Sequence, residues 1–326
     1  MNIAIRDRPL KLLWLEALKR RLSEEDPDFS YYHERLRRVD AGFAGERKVD
    51  REWLELVSPY TFFVMHNLIL MNSAQHSHQL DTLFICTNFM LVIEIKNISG
   101  RLDFDDITHQ CIRTKPDGTV EGFPNAITQT LRHLQFLKVI SQNYSLPIEG
   151  AVIISNPSTI IAGHPKTIPI FHVSGLQKHL HSLFKKYSQA ILSDKQLTQF
   201  VQQLLNRHQP SKTPAPLDPS RFRQGVLCPN CQYKSQMHYA RGIWICSRCH
   251  YASEEIFAEA LQDYRYLVRS TITNKQLREF FNIHSSDAAN RILKKFQFPF
   301  TGSYKNRVYH LPENLVEYMR PFFRSS

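Results

Sequence analysis

Apolar and polar positions along this chain change period several times, and each change predicts an element. Apolar residues recur at helical spacing over about 10–22 and 31–57, and strand-like runs follow near 60–70, 79–86 and 89–97, with another at 107–115. A helix over about 124–142 leads into strands at 148–155 and 167–173, then helices at about 175–187 and 192–207. That order predicts an α/β domain over residues 1–208, a mixed sheet flanked by helices. Pro210, Pro214, Pro216 and Pro219 then crowd a stretch that neither helix nor sheet interior tolerates, so residues 209–224 are expected to be a linker. Beyond it lie a Cys-rich module at 225–253 and a compact, mainly helical segment at 254–326. Each is small enough to need a metal or a packed neighbour.

Composition sharpens the picture. The chain has 326 residues, is 42% hydrophobic and carries a formal charge of +11, which favours an anionic partner. The charge is uneven: residues 221–326 hold 16 Lys plus Arg against 8 Asp plus Glu, a net +8, leaving +3 for the rest. Apolar runs break long before the ~20 residues of a membrane span, so no transmembrane helix is expected. Residues 1–22 interleave Arg6, Asp7, Arg8, Glu16, Lys19, Arg20 and Arg21 with leucines, which reads as an amphipathic helix rather than a signal. Two close Cys pairs plus the scattered Cys86 and Cys111 suit a reducing compartment, and the expected location is cytoplasmic.

The run Leu91–Val92–Ile93–Glu94–Ile95–Lys96 carries the candidate chemistry. Strand alternation puts Glu94 and Lys96 on one face and Ile93 and Ile95 on the other. Cys86–Thr87–Asn88–Phe89 is short enough for a hairpin that returns the chain beside Thr82–Cys86, placing Asp81 next to Glu94. Two carboxylates and a Lys on one wall can hold a divalent ion with an anion beside it. The competing reading is a solvated ion pair of little weight. The flanking run is apolar on both faces, as in a central buried strand, and a charge buried there needs a partner or a metal. Glu46 falls in line with Val49, Trp53 and Leu56 on an inward helix face. Gln129 and His133 sit one turn apart on a helix, able to orient a phosphate or a water; an exposed polar Gln and a hydrogen-bonded core His are the alternatives, and for His133 the latter is favoured.

Cys228–Pro229–Asn230–Cys231 and Cys246–Ser247–Arg248–Cys249 are two C-x2-C knuckles fourteen residues apart, near the spacing of a four-Cys zinc site. A hairpin between them would make a zinc ribbon, closed and structural. A redox role for either pair is the competing reading, but redox-active pairs come singly within a βαβ unit, so structural zinc is favoured. Further on, Thr273–Gln276 has the capping-box pattern, and Ser285 or Ser286 would cap a second helix ending near Phe296. This pair resembles a helix-turn-helix, with Gly302–Arg307 as the tip of a wing. Ser286, Asp287, Asn290 and Arg291 would then meet base edges, and Lys294, Lys295, Lys305 and Arg307 phosphates. A small helical cap with ordinary charged faces is the alternative.

Taken together, Gly42-x-x-Gly45–Glu46, Gln79–Leu83 around Asp81, Val92–Asn97 with Gly100, and Asn125-x-x-x-Gln129 with His133 resemble the nuclease-related domain (NERD), a branch of the restriction-endonuclease-like PD-(D/E)xK superfamily. The resemblance covers roughly residues 40–160. One departure is Asn125–Ala126 where the family usually has Asn-Pro. The resemblance implies a restriction-endonuclease-like fold, Asp81 and Glu94 as ligands of Mg²⁺ or Mn²⁺, Lys96 as the group that orients water or offsets phosphate charge, and Glu46 and Gln129 in support. The expected activity is phosphodiester hydrolysis on a nucleic acid, DNA first, with no membrane partner and no oligomeric state specified. A nucleic-acid-binding or signalling protein with an inactive nuclease-like core is the competing expectation, and protein contacts by the last hundred residues a third.

Overall fold

A computed structural model describes residues 2–105, 107–163, 165–212 and 214–323. The chain forms two units, Met1–Arg8 with Asp40–Ser211 and Pro9–Val39 with Lys212–Ser326. In chain order the first elements are β1 (Asn2–Ile3), α1 (Leu10–Arg21) and α2 (Phe29–Leu54), then β2 (Phe62–Met71), β3 (Ser77–Cys86) and β4 (Met90–Lys96). After them come β5 (Arg101–Asp105), β6 (Gln110–Thr114), β7 (Val120–Phe123), α3 (Ala126–Ile140), β8 (Ile148–Ile154), β9 (Ile160–Ala162), β10 (Ile170–His172), α4 (Leu176–Lys186) and α5 (Asp194–Arg207).

The first unit is mixed α/β. Its main sheet runs β1-β2-β3-β4-β8-β10, with β2, β3 and β4 antiparallel and β4, β8 and β10 parallel. Period-two alternation explains why it is covered on both sides. Phe84, Leu91, Ile93 and Ile95 face Trp53 of α2 and Leu180 and Phe184 of α4. Leu83, Ile85, Met90 and Val92 face Phe136 of α3 and Phe200 of α5. Gly45 lets α2 approach the sheet, because a Cβ there would lie 2.4 Å from Ser155 Oγ and 2.6 Å from Asn97 Cβ. Asn125 still caps α3 without the following proline, its Oδ1 accepting from the Ile127 N–H at 2.8 Å.

The single strand expected at 107–115 is instead part of a second sheet, ordered β7-β6-β5-β9. The Asp105 carboxylate accepts from the Ile107 and Thr108 N–H groups and turns the chain, and Gly118, at φ +85°, turns it again. Those turns divide the segment into strands too short for a periodic signal.

The second unit contains β11 (Val226–Leu227), β12 (Gln236–Ala240), β13 (Ile243–Cys246) and β14 (Ala252–Ser253), paired antiparallel in that order. They are followed by α6 (Ile256–Leu267), β15 (Thr271–Ile272), α7 (Asn274–Phe281), α8 (Ser286–Lys295), β16 (Phe300–Thr301), β17 (Val308–His310) and α9 (Leu315–Met319), with a sheet ordered β15-β17-β16. Residues 225–253 and 254–326, expected as separate modules, share one core in which Trp244 stacks on Phe257 and packs with Phe281, Ile292 and Phe296. The Cys-rich stretch contributes only Val226, Cys228, Met237, Trp244 and Cys246 to that core, too few for a core of its own.

Helix α1, expected with the front domain, belongs to this unit and packs on α6. Asp263 receives Arg21 Nε at 2.9 Å and Arg20 Nη2 at 2.6 Å, while Arg21 Nη1 donates to the carbonyls of Arg223 and Gly225. Arg21 is 1% exposed and Asp263 2%. Asp263→Ala strands a buried guanidinium, so we expect a loss of about 3–5 kcal/mol in the unit holding it. Urea unfolding measures this; a loss below about 1 kcal/mol would show the pair to be dispensable.

Candidate active site

The antiparallel register of β3 and β4 pairs Thr82 with Ile93, so Asp81 and Glu94 fall opposite one another where the ladder ends. The Asp81 carboxylate occupies the next backbone position, with Oδ2 accepting from the Ile95 N–H at 2.9 Å. Two strand positions along, Lys96 Nζ lies 2.6 Å from Glu94 Oε1 and 3.2 Å from Gln129 Oε1 of α3. Glu46 reaches the same place from α2. These five side chains, with Gln79 and Phe123, line one open cleft of about 400 Å³. All five residues proposed from the sequence for the front domain are therefore brought together. His133 is not among them: it is buried in the core with Nδ1 3.2 Å from His78 Nδ1.

Electrostatics set this cleft apart. Glu94 is 1% exposed, and its Oε2 is buried without a hydrogen-bond partner among the described residues. Burial, then the neighbouring Asp81 and Glu46 carboxylates, push its pKa up to about 8 against the opposing pull of Lys96. Burial also raises Asp81, with the Ile95 N–H, Lys96 and Arg6 opposing. Glu46 rises to about 7, chiefly through burial, with Arg6 opposing and Asp81 and Asp50 adding to the rise. Carboxylates forced together with one oxygen unsatisfied fit a hard cation, since a divalent ion would take that oxygen and relieve the mutual repulsion. Asp81 and Glu94 are the two groups of the cleft that could hold it.

Arg6, expected within an amphipathic helix and given no role at the site, instead lies between β1 and α1 and reaches the cleft residues. Its guanidinium donates to Glu46, Asp50, Thr82 and the Asp81 carbonyl, and it meets His66 Nδ1 at 3.0 Å. Burial, and then this adjacent cation, push His66 down to about 4, with Asp50 opposing. A neutral His66 is stable in the fold and a charged one is not, so this contribution is intact above pH 6.5 and is lost as pH falls toward 4. Between pH 7 and 5 we expect a stability loss of about 2 kcal/mol from this group. Urea unfolding at the two values, with His66→Gln beside wild type, measures it; equal losses in the two proteins would assign the effect elsewhere.

The four knuckle sulfurs lie within 4.8 Å of one another, with Cys228 Sγ 3.5 Å from Cys249 Sγ and Cys231 Sγ 3.8 Å from Cys246 Sγ. A tetrahedral ion with Zn–S bonds of ~2.3 Å requires S···S edges of roughly 3.8 Å, so the four residues fit zinc without an open position. All four cysteines are free thiols. Backbone N–H groups of Cys249 and then Arg248 help draw the Cys246 thiol down to about 7.

In the same unit, Asn290, Arg291 and Lys294 are exposed along α8, and Lys305 is exposed between β16 and β17. Asn290 accepts from Asn274 Nδ2 at 2.7 Å, and the Arg307 guanidinium lies 4.6 Å from the centre of the Phe300 ring. Lys295, expected at a phosphate, is paired with Glu254 and lies over Phe296 and Phe323. Among the described residues no helix is long and apolar enough to cross a membrane.

Residues 41–155 match the family model of the nuclease-related domain, NERD. No curated protein and no solved structure matches the chain. The segment that builds most of the cleft is therefore similar to the nuclease-related domain.

Proposed function

We propose that this protein is a divalent-metal-dependent nuclease that hydrolyses phosphodiester bonds in DNA, with Asp81, Glu94 and Lys96 at the reacting centre. The observation that carries this reading is the buried Glu94 Oε2, without a hydrogen-bond partner among the described residues, beside a second carboxylate in a segment that matches the nuclease-related domain. Mg²⁺ or Mn²⁺ held there supplies Lewis-acid activation of water and charge stabilisation at phosphate. The chain's own residues do the rest. Lys96, fixed by Glu94 and Gln129, presents an ammonium to the cleft, where it offsets phosphate charge and orients the attacking water. Glu46, held by Arg6, and Gln129 support this arrangement.

The second unit supports affinity for the substrate. Its order of helix, strand, two helices and two strands, with the sheet arranged β15-β17-β16, corresponds to a winged helix, in which α8 would enter the major groove and the β16–β17 turn would form the wing. Arg291, Lys294 and Lys305 are the exposed cations suited to phosphates or base edges; Lys295 would first have to leave Glu254. Zinc at the four cysteines is structural.

The test is cleavage of linear, circular and single-stranded DNA and of RNA with Mg²⁺, Mn²⁺ or chelator. Metal-dependent cutting of DNA is expected. Tight DNA binding without cutting under any metal would leave a binding protein with an inactive nuclease-like core.

A further inference from the structure

We infer that Arg6 is a positioning residue of the cleft, holding the Glu46 carboxylate and the Asp81 strand end in the arrangement that receives the divalent ion. This rests on the metal-dependent reading above. Arg6 lies outside residues 41–155, the segment that matches the nuclease-related domain, so the site is completed by a part of the chain that the match does not cover.

The Arg6 side chain is 0% exposed, and burying a guanidinium is expensive unless its donors are satisfied. Here they are. Nε donates to Asp50 Oδ2 at 3.0 Å. Nη1 donates to Glu46 Oε2 at 2.8 Å and to the Asp81 carbonyl at 3.0 Å. Nη2 donates to Asp50 Oδ1 at 3.0 Å and Thr82 Oγ1 at 2.8 Å. One rigid fork thus ties α2, through two carboxylates a turn apart, to β3 at the residue that carries the first candidate ligand. A lysine is a point charge and cannot span these directions at once.

Asp50, taking Nε and one Nη2 hydrogen, is the contact that anchors the N-terminal segment to α2. The Nη1 branch instead goes to Glu46, which lines the cleft, and to the backbone of Asp81, which also lines it. Groups that orient ligands in this way typically change metal affinity or activity by roughly 10–100-fold when altered.

The test compares Arg6→Lys, Glu46→Gln and the double variant in the full chain, reading Mn²⁺ affinity by calorimetric titration, near-ultraviolet circular dichroism for the fold, and kcat and KM on a DNA oligonucleotide. Arg6→Lys is expected to keep the fold, weaken Mn²⁺ about tenfold and lower kcat about 10–100-fold with KM little changed. The double variant should lose less than the sum of the two single losses, because both substitutions remove the shared Arg6–Glu46 contact. Wild-type affinity in Arg6→Lys, additive losses in the double variant, or no Mn²⁺ binding by the wild type would each overturn the inference. If Arg6→Lys does not fold, Thr82→Val removes one anchor of the same guanidinium; about threefold weaker Mn²⁺ binding supports the inference and unchanged binding overturns it. A wild type that binds Mn²⁺ and cuts nothing defeats the nuclease reading, while the Mn²⁺ titrations still decide the role of Arg6.

Discussion

Glu94→Gln is expected to lower metal-dependent DNA cleavage by about 10³-fold or more while leaving the fold at least as stable as the wild type. The two halves of this expectation have one cause. Glu94 is fully buried beside Asp81, with one oxygen tied to Lys96 and the other without a partner among the described residues. Without a bound cation, its charge is a liability to folding: desolvation and a neighbouring carboxylate both oppose it. Glutamine keeps the shape and can still accept from Lys96, but it removes the anionic ligand. The variant should therefore melt at or above the wild-type temperature in chelator. In millimolar Mn²⁺ the wild type should gain stability by mass action and Glu94→Gln should not. A structural carboxylate would behave in the opposite way, losing stability on replacement and showing no metal-dependent difference. Thermal melts with and without Mn²⁺, run beside the cleavage assay, separate the two.

The second large effect lies at the cysteines. Cys228 and Cys246 are 0% exposed and belong to the core that also contains Trp244, Phe257 and Phe281. Loss of a four-thiolate ion would leave buried thiols at its centre and a ribbon too short to hold itself together. Structural zinc sites carry apparent binding energies of roughly 10–16 kcal/mol, comparable to the whole stability of a domain. Cys246→Ser is expected to abolish zinc retention and to unfold or loosen the second unit, with the first unit retaining its sheet. Elemental analysis should find one zinc per chain in the wild type and far less in the variant, and amide hydrogen exchange should show protection lost in residues 225–323. Wild-type protein that is fully folded without zinc would refute the structural role.

Much of the cleft was legible because strand alternation is a strict rule. The Glu94–Lys96 spacing, the four-residue connection from Cys86 to Phe89 and the apolar flanks were enough to bring Asp81, Glu94 and Lys96 together, and helical spacing from Val49 and Trp53 located Glu46. Gln129 was legible as a cleft residue through the resemblance, and His133 as a core histidine. Arg6 was not legible. It follows a strand of only two residues, and its partners come from α2, β2 and β3, so no local pattern marks it. The placement of α1 was missed for a similar reason: its Arg21 meets Asp263, 242 positions away. The accessory sheet escaped because its strands are short and half polar, and short strands are specified by turns such as those at Asp105 and Gly118 rather than by their own periodicity.

In the proposed mechanism Asp81 and Glu94 hold a divalent cation in the cleft. Anomalous diffraction from crystals soaked in Mn²⁺ tests it most directly. A single strong peak is expected within ~2.5 Å of a carboxylate oxygen of each residue, absent from Glu94→Gln crystals. Well-ordered wild-type crystals with no peak there, or with Mn²⁺ bound only at surface carboxylates, would contradict it.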